Sequence, residues 1–408
     1  MVAEQVSIQR RPKRHVLPCV LMRAGTSKGI FLHRKDLPAR ENDWAPHLIS
    51  ALGSRGNDPR QIDGVGGGTS TTSKVAVVSR SQRPDADIDW TFAQVAVGKE
   101  SIDLTGNCGN MTAGVAPFAV QEGLVSPQPG QTKMDVRIYN TNTKRLVVET
   151  VALDASGDYD ETGDFVIAGV NTPGSEVKCT FVEPLGSMTG KLFPSNGQQQ
   201  QQLHVRPTGQ PAFTVRVTLI DSANPFVLID STSITTLLNS LPSEVAQNAL
   251  VECIRREAAV AMGLAPTVEI AAQTRGTPKA ALVYPPTSDS TSHNADIRIQ
   301  AYSMGLPHPS LQLTGAVTVA VALSYPGTIA AQLAASTEQG APLTPEHTPP
   351  PEGDDTKEGS GSKREVRISH SKGVIKVDVA MDDNGGVASC AVSRTARRLF
   401  EGRIRYYV

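Results

Sequence analysis

Thr105-Gly-Asn-Cys-Gly-Asn-Met-Thr-Ala-Gly-Val-Ala-Pro-Phe-Ala-Val120 sets a cysteine in a tight Gly/Asn turn and follows it with small apolar residues at helical spacing. Gly106 and Gly109 let the backbone turn sharply and approach a ligand closely. Asn107 and Asn110 suit the left-handed and capping conformations of a helix start. The first turn of that helix offers free N–H groups and a positive dipole end, a setting that receives a carboxylate and lowers a thiol pKa. Cys108 therefore stands where an acid/base or nucleophilic thiol would stand. A buried, inert cysteine acting as a small hydrophobe is the other reading of the same residue.

The second half repeats the recipe. Leu313-Thr-Gly-Ala-Val-Thr-Val-Ala-Val-Ala-Leu323 starts another helix of small residues, with Thr314 lying 206 residues after Cys108. A small-residue helix at the same relative place in each half predicts two similar domains packed face to face. Around these helices, strands are expected over 17–23, 29–33, 75–78, 89–97, 134–139, 146–151 and 164–168. The second half adds strands over 213–220, 225–229, 279–283, 297–304, 366–370, 373–379 and 403–408. Helices are expected over 46–52 and, long and amphipathic, over 244–262.

Asp63-Gly-Val-Gly-Gly-Gly-Thr-Ser-Thr-Thr-Ser-Lys74 is rich in glycine but is not a phosphate-binding P-loop. It lacks Gly-Lys-Ser/Thr, and a strand rather than a helix follows. It reads as a hydroxyl-rich loop that delivers Lys74 to the mouth of a strand. Five hydroxyls beside one lysine make a carboxylate cradle; a solvated loop with an ordinary lysine is the plainer alternative.

Composition narrows the field. The chain has 408 residues, 39% of them hydrophobic, with 28 prolines, enough for two or three domains with real cores. A formal net charge of −1 gives no global case for nucleic-acid or membrane binding. No run approaches the ~18 apolar residues of a transmembrane helix. The five cysteines (19, 108, 179, 253 and 390) are scattered without metal-type pairs, which fits a reducing compartment and argues against a disulfide framework or a zinc site.

The N-terminal Arg10-Arg-Pro-Lys-Arg14 lacks an apolar core and is not a secretory signal. The expectation is a cytoplasmic protein, with a mitochondrial location as the alternative. Two low-complexity stretches, 195–204 (Gln-rich) and 336–363 (Pro- and acid-rich), read as surface insertions without catalytic roles. Arg394, Arg397 and Arg398 could bind an anion or bridge domains.

With these residues in view, the chain resembles the PrpF family of 2-methylaconitate isomerases, with oxalomesaconate tautomerases and methylitaconate isomerases as relatives. The matching pieces are Met22-Arg-Ala-Gly-Thr-Ser-Lys-Gly29, Asp63-Gly-Val-Gly-Gly67, Thr72-Ser-Lys-Val75 and Asn107-Cys-Gly-Asn110. In the second half they are Ile220-Asp221, Asn224-Pro225, Ser303-Met-Gly305 with His308, Thr314-Gly-Ala316, Ser369-His370 with Gly373, and Arg394-Thr-Ala-Arg-Arg-Leu399. Ala24 stands where the family usually has glycine.

The resemblance implies an α/β (α+β) fold of the diaminopimelate-epimerase type. Two pseudo-symmetric domains each curl a mostly antiparallel sheet around a central helix, with the site between them. The expected domains are 16–194 and 205–399, with 400–408 returning to the first and a disordered insertion at 336–363 in the second. Members that epimerise carry a thiol on each helix. Here the second helix offers Thr314, which counts against a racemase; the presence of both Lys74 and Cys108 counts against a noncatalytic member.

The implied chemistry is allylic proton transfer on a small unsaturated di- or tricarboxylate, needing neither cofactor nor metal. Lys74 and Cys108 are the candidate acid/base groups. Ser27, Ser70, Thr72, Ser73, Asn107, Gly109 and Asn110 are candidates to hold substrate carboxylates from the first domain. Lys279, Met304, His308, Thr314 and Gly315 are the candidates from the second. A core role for His308 stays open beside the binding one. A homodimer is left open; no nucleic-acid or membrane partner is expected.

Overall fold

Alternation of buried and exposed residues builds most of the chain into strands. Along Lys133–Asn140, Val136 and Ile138 are buried while Asp135 and Arg137 face solvent. The computed structural model describes residues 12–207, 209, 211–286, 295–336 and 362–408. Most of the acidic stretch at 336–363 and part of the basic segment at 10–14 lie outside the described residues.

The first half supplies β1 (Arg14–Ala24), β2 (Ser27–His33), helix α1 (Ala45–Leu52), β3 (Lys74–Arg80), β4 (Ile88–Val95) and β5 (Ile102–Asp103). Helices α2 (Gly109–Thr112) and α3 (Val115–Gln121) follow, then β6 (Lys133–Asn140), β7 (Arg145–Ala152) and β8 (Val177–Val182). The second half begins with β9 (Gln201–Val205), β10 (Phe213–Ser222) and β11 (Asn224–Asp230), then α4 (Thr235–Ser240), α5 (Glu244–Ala261) and α6 (Val268–Gln273). It continues with β12 (Lys279–Tyr284), β13 (Ile297–Ser303), β14 (Leu306–Pro307), α7 (Leu313–Leu323) and α8 (Ile329–Ala335). The chain closes with β15 (Lys363–His370), β16 (Gly373–Met381), β17 (Val387–Arg394) and β18 (Ala396–Tyr407).

Hydrogen-bonded neighbours run β18-β1-β2-β3-β4-β6-β7-β8 in one half and β9-β10-β11-β12-β13-β15-β16-β17 in the other. Read from the outer strand inward, the pairings in the first half are antiparallel, antiparallel, parallel, antiparallel, parallel, antiparallel, antiparallel. The second half has the same order of senses. Short β5 flanks β4 as β14 flanks β13. The halves meet where β8 and β17 pair antiparallel, with Cys179 opposite Val392. This repeated, curled arrangement is the diaminopimelate-epimerase-like fold.

Each curl closes on small helices. All eleven residues of α7 are buried, and the helix packs against β10, β11, β15, β16 and β17. Small residues permit this closeness: a Cβ on Gly114, between α2 and α3, would sit 2.6 Å from the ring of Phe31. The outer faces take the amphipathic helices. Trp44, Leu48 and Leu52, at and along α1, cover Leu17, Ile30 and Val75. On α5, Leu250, Val251 and Ile254 cover Val217, Leu219 and Ile229.

Three expectations need correction, and one strand is added to them. Residues 164–168 form no strand; only an isolated bridge joins Phe165 to Gly174. The Gln-rich stretch is not wholly a surface insertion, because Gln201–Val205 is strand β9 paired to β10. Strand β8 was not foreseen, although Val177, Cys179 and Phe181 alternate inward. The last strand starts at Ala396 rather than 403, and its full length runs antiparallel to β1.

Candidate active site

Cys108 caps α2 with extended backbone (φ −122°, ψ 94°) and is buried. Its neighbour Gly109 is pressed against the start of α7, where an added Cβ would lie 2.8 Å from Leu313 Cβ and 3.0 Å from the Thr314 amide nitrogen. The beginnings of the two core helices therefore touch, one from each half, with Cys108 and Thr314 at the junction.

Two lysines reach this junction. Lys74, the first residue of β3, is buried and donates to Gln94 Oε1 at 2.9 Å. Lys279, the first residue of β12, donates to the Asn107 carbonyl at 3.1 Å and to Thr314 Oγ1 at 3.4 Å. Among the described residues neither ammonium pairs with a carboxylate, and each lies against an aromatic ring, Phe92 and Phe226 respectively.

The charges act on one another. Burial alone would push the Cys108 thiol up; the nearby Lys74 and then Lys279, helped by the Met111 N–H, outweigh it and hold the thiol below its ordinary range. Burial brings Lys279 down to about 8, with Cys108 opposing and Lys74 reinforcing the shift. The other four cysteines go the other way, raised chiefly by burial: Cys19 to about 11, Cys390 to about 12, with Cys179 and Cys253 also raised. One thiol in five is thus set apart by its charged neighbours.

Polar groups surround the lysines. Ser27 Oγ, Asn224 Nδ2 and Gln312 Oε1 are buried without a hydrogen-bond partner among the described residues, so each keeps unmet hydrogen-bonding capacity. Asn107 is held through its amide by Asn224 Oδ1 at 3.3 Å. Asn110 donates to Thr26 Oγ1 at 3.0 Å and accepts from Arg394 Nε at 3.3 Å. Thr26 in turn lies 3.2 Å from Ser310 Oγ of the other half. His308 is buried with Nδ1 beside the amide and carbonyl of Ser310. Burial brings it to about 3, and Lys74 and Lys279 add to the effect, so it is neutral at pH 7.

Two cavities are lined by residues neighbouring this junction. One of about 670 Å³ is lined by Ser70, Gln94, Asp103, Thr105, Arg275 and Met304. The other, about 260 Å³, is lined by Thr26, Ser310, His370, Ser393 and Arg394.

Not every expected hydroxyl faces them. Ser73 is turned inward, donating to the Val95 carbonyl at 2.9 Å and accepting from Gln61 at 2.7 Å. The Thr72 hydroxyl is held 2.7 Å from that of Thr69, within the loop itself. Gly315 serves packing: a Cβ there would meet Leu311 and the ring of Phe226 at 3.1 Å. Lys74 is not an exposed loop lysine either, with 6% of its surface accessible.

Sequence reasoning did not single out Gln94, Thr26, Asn224, Ser310 or His370 for this region. Gln94 is a lone amide in an apolar strand, a signal that becomes specific only once β4 is known to lie opposite Lys74.

The repeated fold defines the class: a diaminopimelate-epimerase-like protein, with the lysine–thiol junction where its repeats meet. The profile of the PrpF protein family matches residues 14–348. The 2-methyl-aconitate isomerase of Shewanella oneidensis is 33% identical over 97% of this chain and 98% of its own length. The (4E)-oxalomesaconate Delta-isomerase of Novosphingobium is 34% identical over 94% and 96%. The crystal structure of a methylitaconate-delta-isomerase superposes with a TM-score of 0.68 at 32% identity, covering 96% of each chain. The chain belongs to the PrpF family, and it is an isomerase. Among the described residues no helix is long and apolar enough to cross a membrane.

Proposed function

We propose that the protein isomerises a small unsaturated di- or tricarboxylate by allylic proton transfer, with Lys74 and Cys108 as the proton-handling pair. The observation that carries this reading is the low-lying Cys108 thiol between two lysines that have no carboxylate partner among the described residues. A polyanion entering the junction would supply the missing negative charge and satisfy Ser27, Asn224 and Gln312. The names of the relatives, acting on methylaconitate, oxalomesaconate and methylitaconate, point to the same class of substrate.

In the reaction, the Lys74–Cys108 pair removes a proton from the carbon next to the double bond. The C–H electrons spread into a dienolate over the conjugated carboxylate. Protonation at another carbon moves the double bond, and rotation while the central bond is single exchanges cis for trans. The balance of atoms and electrons closes without an oxidant or reductant. In this reading the repeats are two domains, and the site is the cleft between them.

The test is incubation with cis-aconitate, trans-aconitate, 2-methylaconitate and itaconate in D2O, followed by NMR. At least one substrate should be converted with deuterium entering its allylic position. Lys74→Ala should lower that rate by roughly 10²–10⁴. Full activity in Lys74→Ala, or a strict requirement for added metal, would overturn the mechanism.

A further inference from the structure

The two halves can be superimposed strand by strand through their pairing senses, which makes β12 the counterpart of β3 and β11 the counterpart of β2. Lys74 is the first residue of β3, and Lys279 is the first residue of β12. Each strand is paired parallel to the one whose first residue, Ser27 or Asn224, carries a buried side-chain atom without a partner. The two lysines are thus the same structural position, reached once from each half. Cys108 caps α2, and Thr314, whose hydroxyl does not titrate in the working range, lies in the first turn of α7 where the two helix starts meet. In the second half, the group at the junction able to give and take a proton is Lys279. Lys74 donates to Gln94, and Lys279 to the Asn107 carbonyl and Thr314, so each three-donor ammonium keeps at least one N–H for the cleft between the halves.

We propose that Lys279 is a second proton carrier that acts on the opposite face of the substrate from Lys74. This rests on the allylic proton-transfer reading of the site. In one direction Lys74, having passed a proton to the Cys108 thiolate, takes the allylic proton and becomes an ammonium again, while the C–H pair enters the dienolate. Lys279, as the ammonium, delivers a proton to the other end of the dienolate and becomes an amine. The reverse reaction exchanges the two roles, and proton exchange with water, with the Cys108 thiolate between the lysines, resets the pair. Burial that brings Lys279 to about 8 lets both of its forms be populated near neutral pH. The titratable groups facing it are Cys108, Lys74 and Asp103, with His308 also near enough to feel its charge.

The experiment separates exchange from conversion. Substrate converted by the wild type is incubated in D2O with wild type, Lys279→Gln and Lys279→Arg, and NMR follows both deuterium in recovered substrate and product formed. Lys279→Arg keeps the charge and donors but cannot act as a base or acid in this range. Both variants should lose conversion by roughly 10²–10⁴ while still exchanging the substrate hydrogen that Lys74 reaches, at a rate within about tenfold of wild type. Conversion within a few-fold of wild type in Lys279→Arg would overturn the assignment, as would equal loss of exchange and conversion in both variants. A wild type that converts none of these substrates and exchanges none of their hydrogens would sink the underlying reading along with it.

Discussion

Gly109 and Leu313 bring the two halves into contact at the start of their core helices, with 2.8 Å between the Leu313 Cβ and the place a Gly109 Cβ would take. The backbone nitrogen of Thr314 closes the same space from the other side, so the obstruction is not a flexible side-chain end. Gly109→Ala should therefore cost about 1–3 kcal/mol of stability. It should also lower turnover more than tenfold, because Cys108 and Lys279 would be pushed apart. A thermal melt and a rate assay unchanged in Gly109→Ala would show that the junction has slack.

Cys108 should be the most reactive thiol near neutral pH. Burial opposes its ionisation, but Lys74 is the largest of the influences that favour it. Removing the ammonium in Lys74→Gln should move the pH profile of iodoacetamide labelling at Cys108 to higher pH, with at least a several-fold slower rate near pH 7. Peptide mapping identifies the labelled residue. An identical profile in the variant would mean that Lys74 does not set the thiolate.

Arg394 is buried; its hydrogen bonds go to Asn110 and to the Ser393 carbonyl, and among the described residues it meets no carboxylate. Burial brings it down to about 10. An unpaired buried charge costs stability, so Arg394→Met should leave the melting temperature unchanged or raise it. The same change frees Asn110 and should raise KM for a polycarboxylate by about tenfold, in line with ~1.5 kcal/mol for a charged hydrogen bond. A lower melting temperature with an unchanged KM would assign Arg394 to scaffolding alone.

Glu149 is buried under α3, accepting from the Ala116 N–H at 2.9 Å and lying 3.8 Å from the Cys179 sulfur. Burial pushes its carboxyl up to about 8, against the pull of those two donors. A glutamate in the unfolded chain titrates near 4.3. Between those values the folded protein holds the extra proton, so this residue's contribution to stability falls as pH rises from about 4 to about 8 and then levels off. Glu149→Gln should flatten that part of the melting-temperature profile, removing a loss on the order of a few kcal/mol. Superimposable profiles for wild type and variant would exclude Glu149 as the titrating group.

The turn carrying Cys108, the Lys74 loop and the helices at 46–52, 244–262 and 313–323 were legible in the sequence because turns and periodicities are written in adjacent residues. Glycines that only a tight turn tolerates, and apolar residues every third or fourth place, need no distant partner to be read. The equivalence of Lys74 with Lys279, and the seat of Gln94 beside Lys74, are different. They depend on which strand lies beside which and in what register, and a slip of one residue would turn every side chain of a strand to the other face. That choice is made by packing against strands that are not adjacent in sequence, 20 residues on for Gln94 and in the other half of the chain for Lys279. The same cause explains Ser73, whose sequence neighbours suggest a ligand-facing hydroxyl but which the β3–β4 register turns toward Val95. Residue types and local turns therefore came from the sequence by itself. Which of those residues meet at one junction was decided by tertiary structure, because only packing of the two repeats brings the starts of their core helices together.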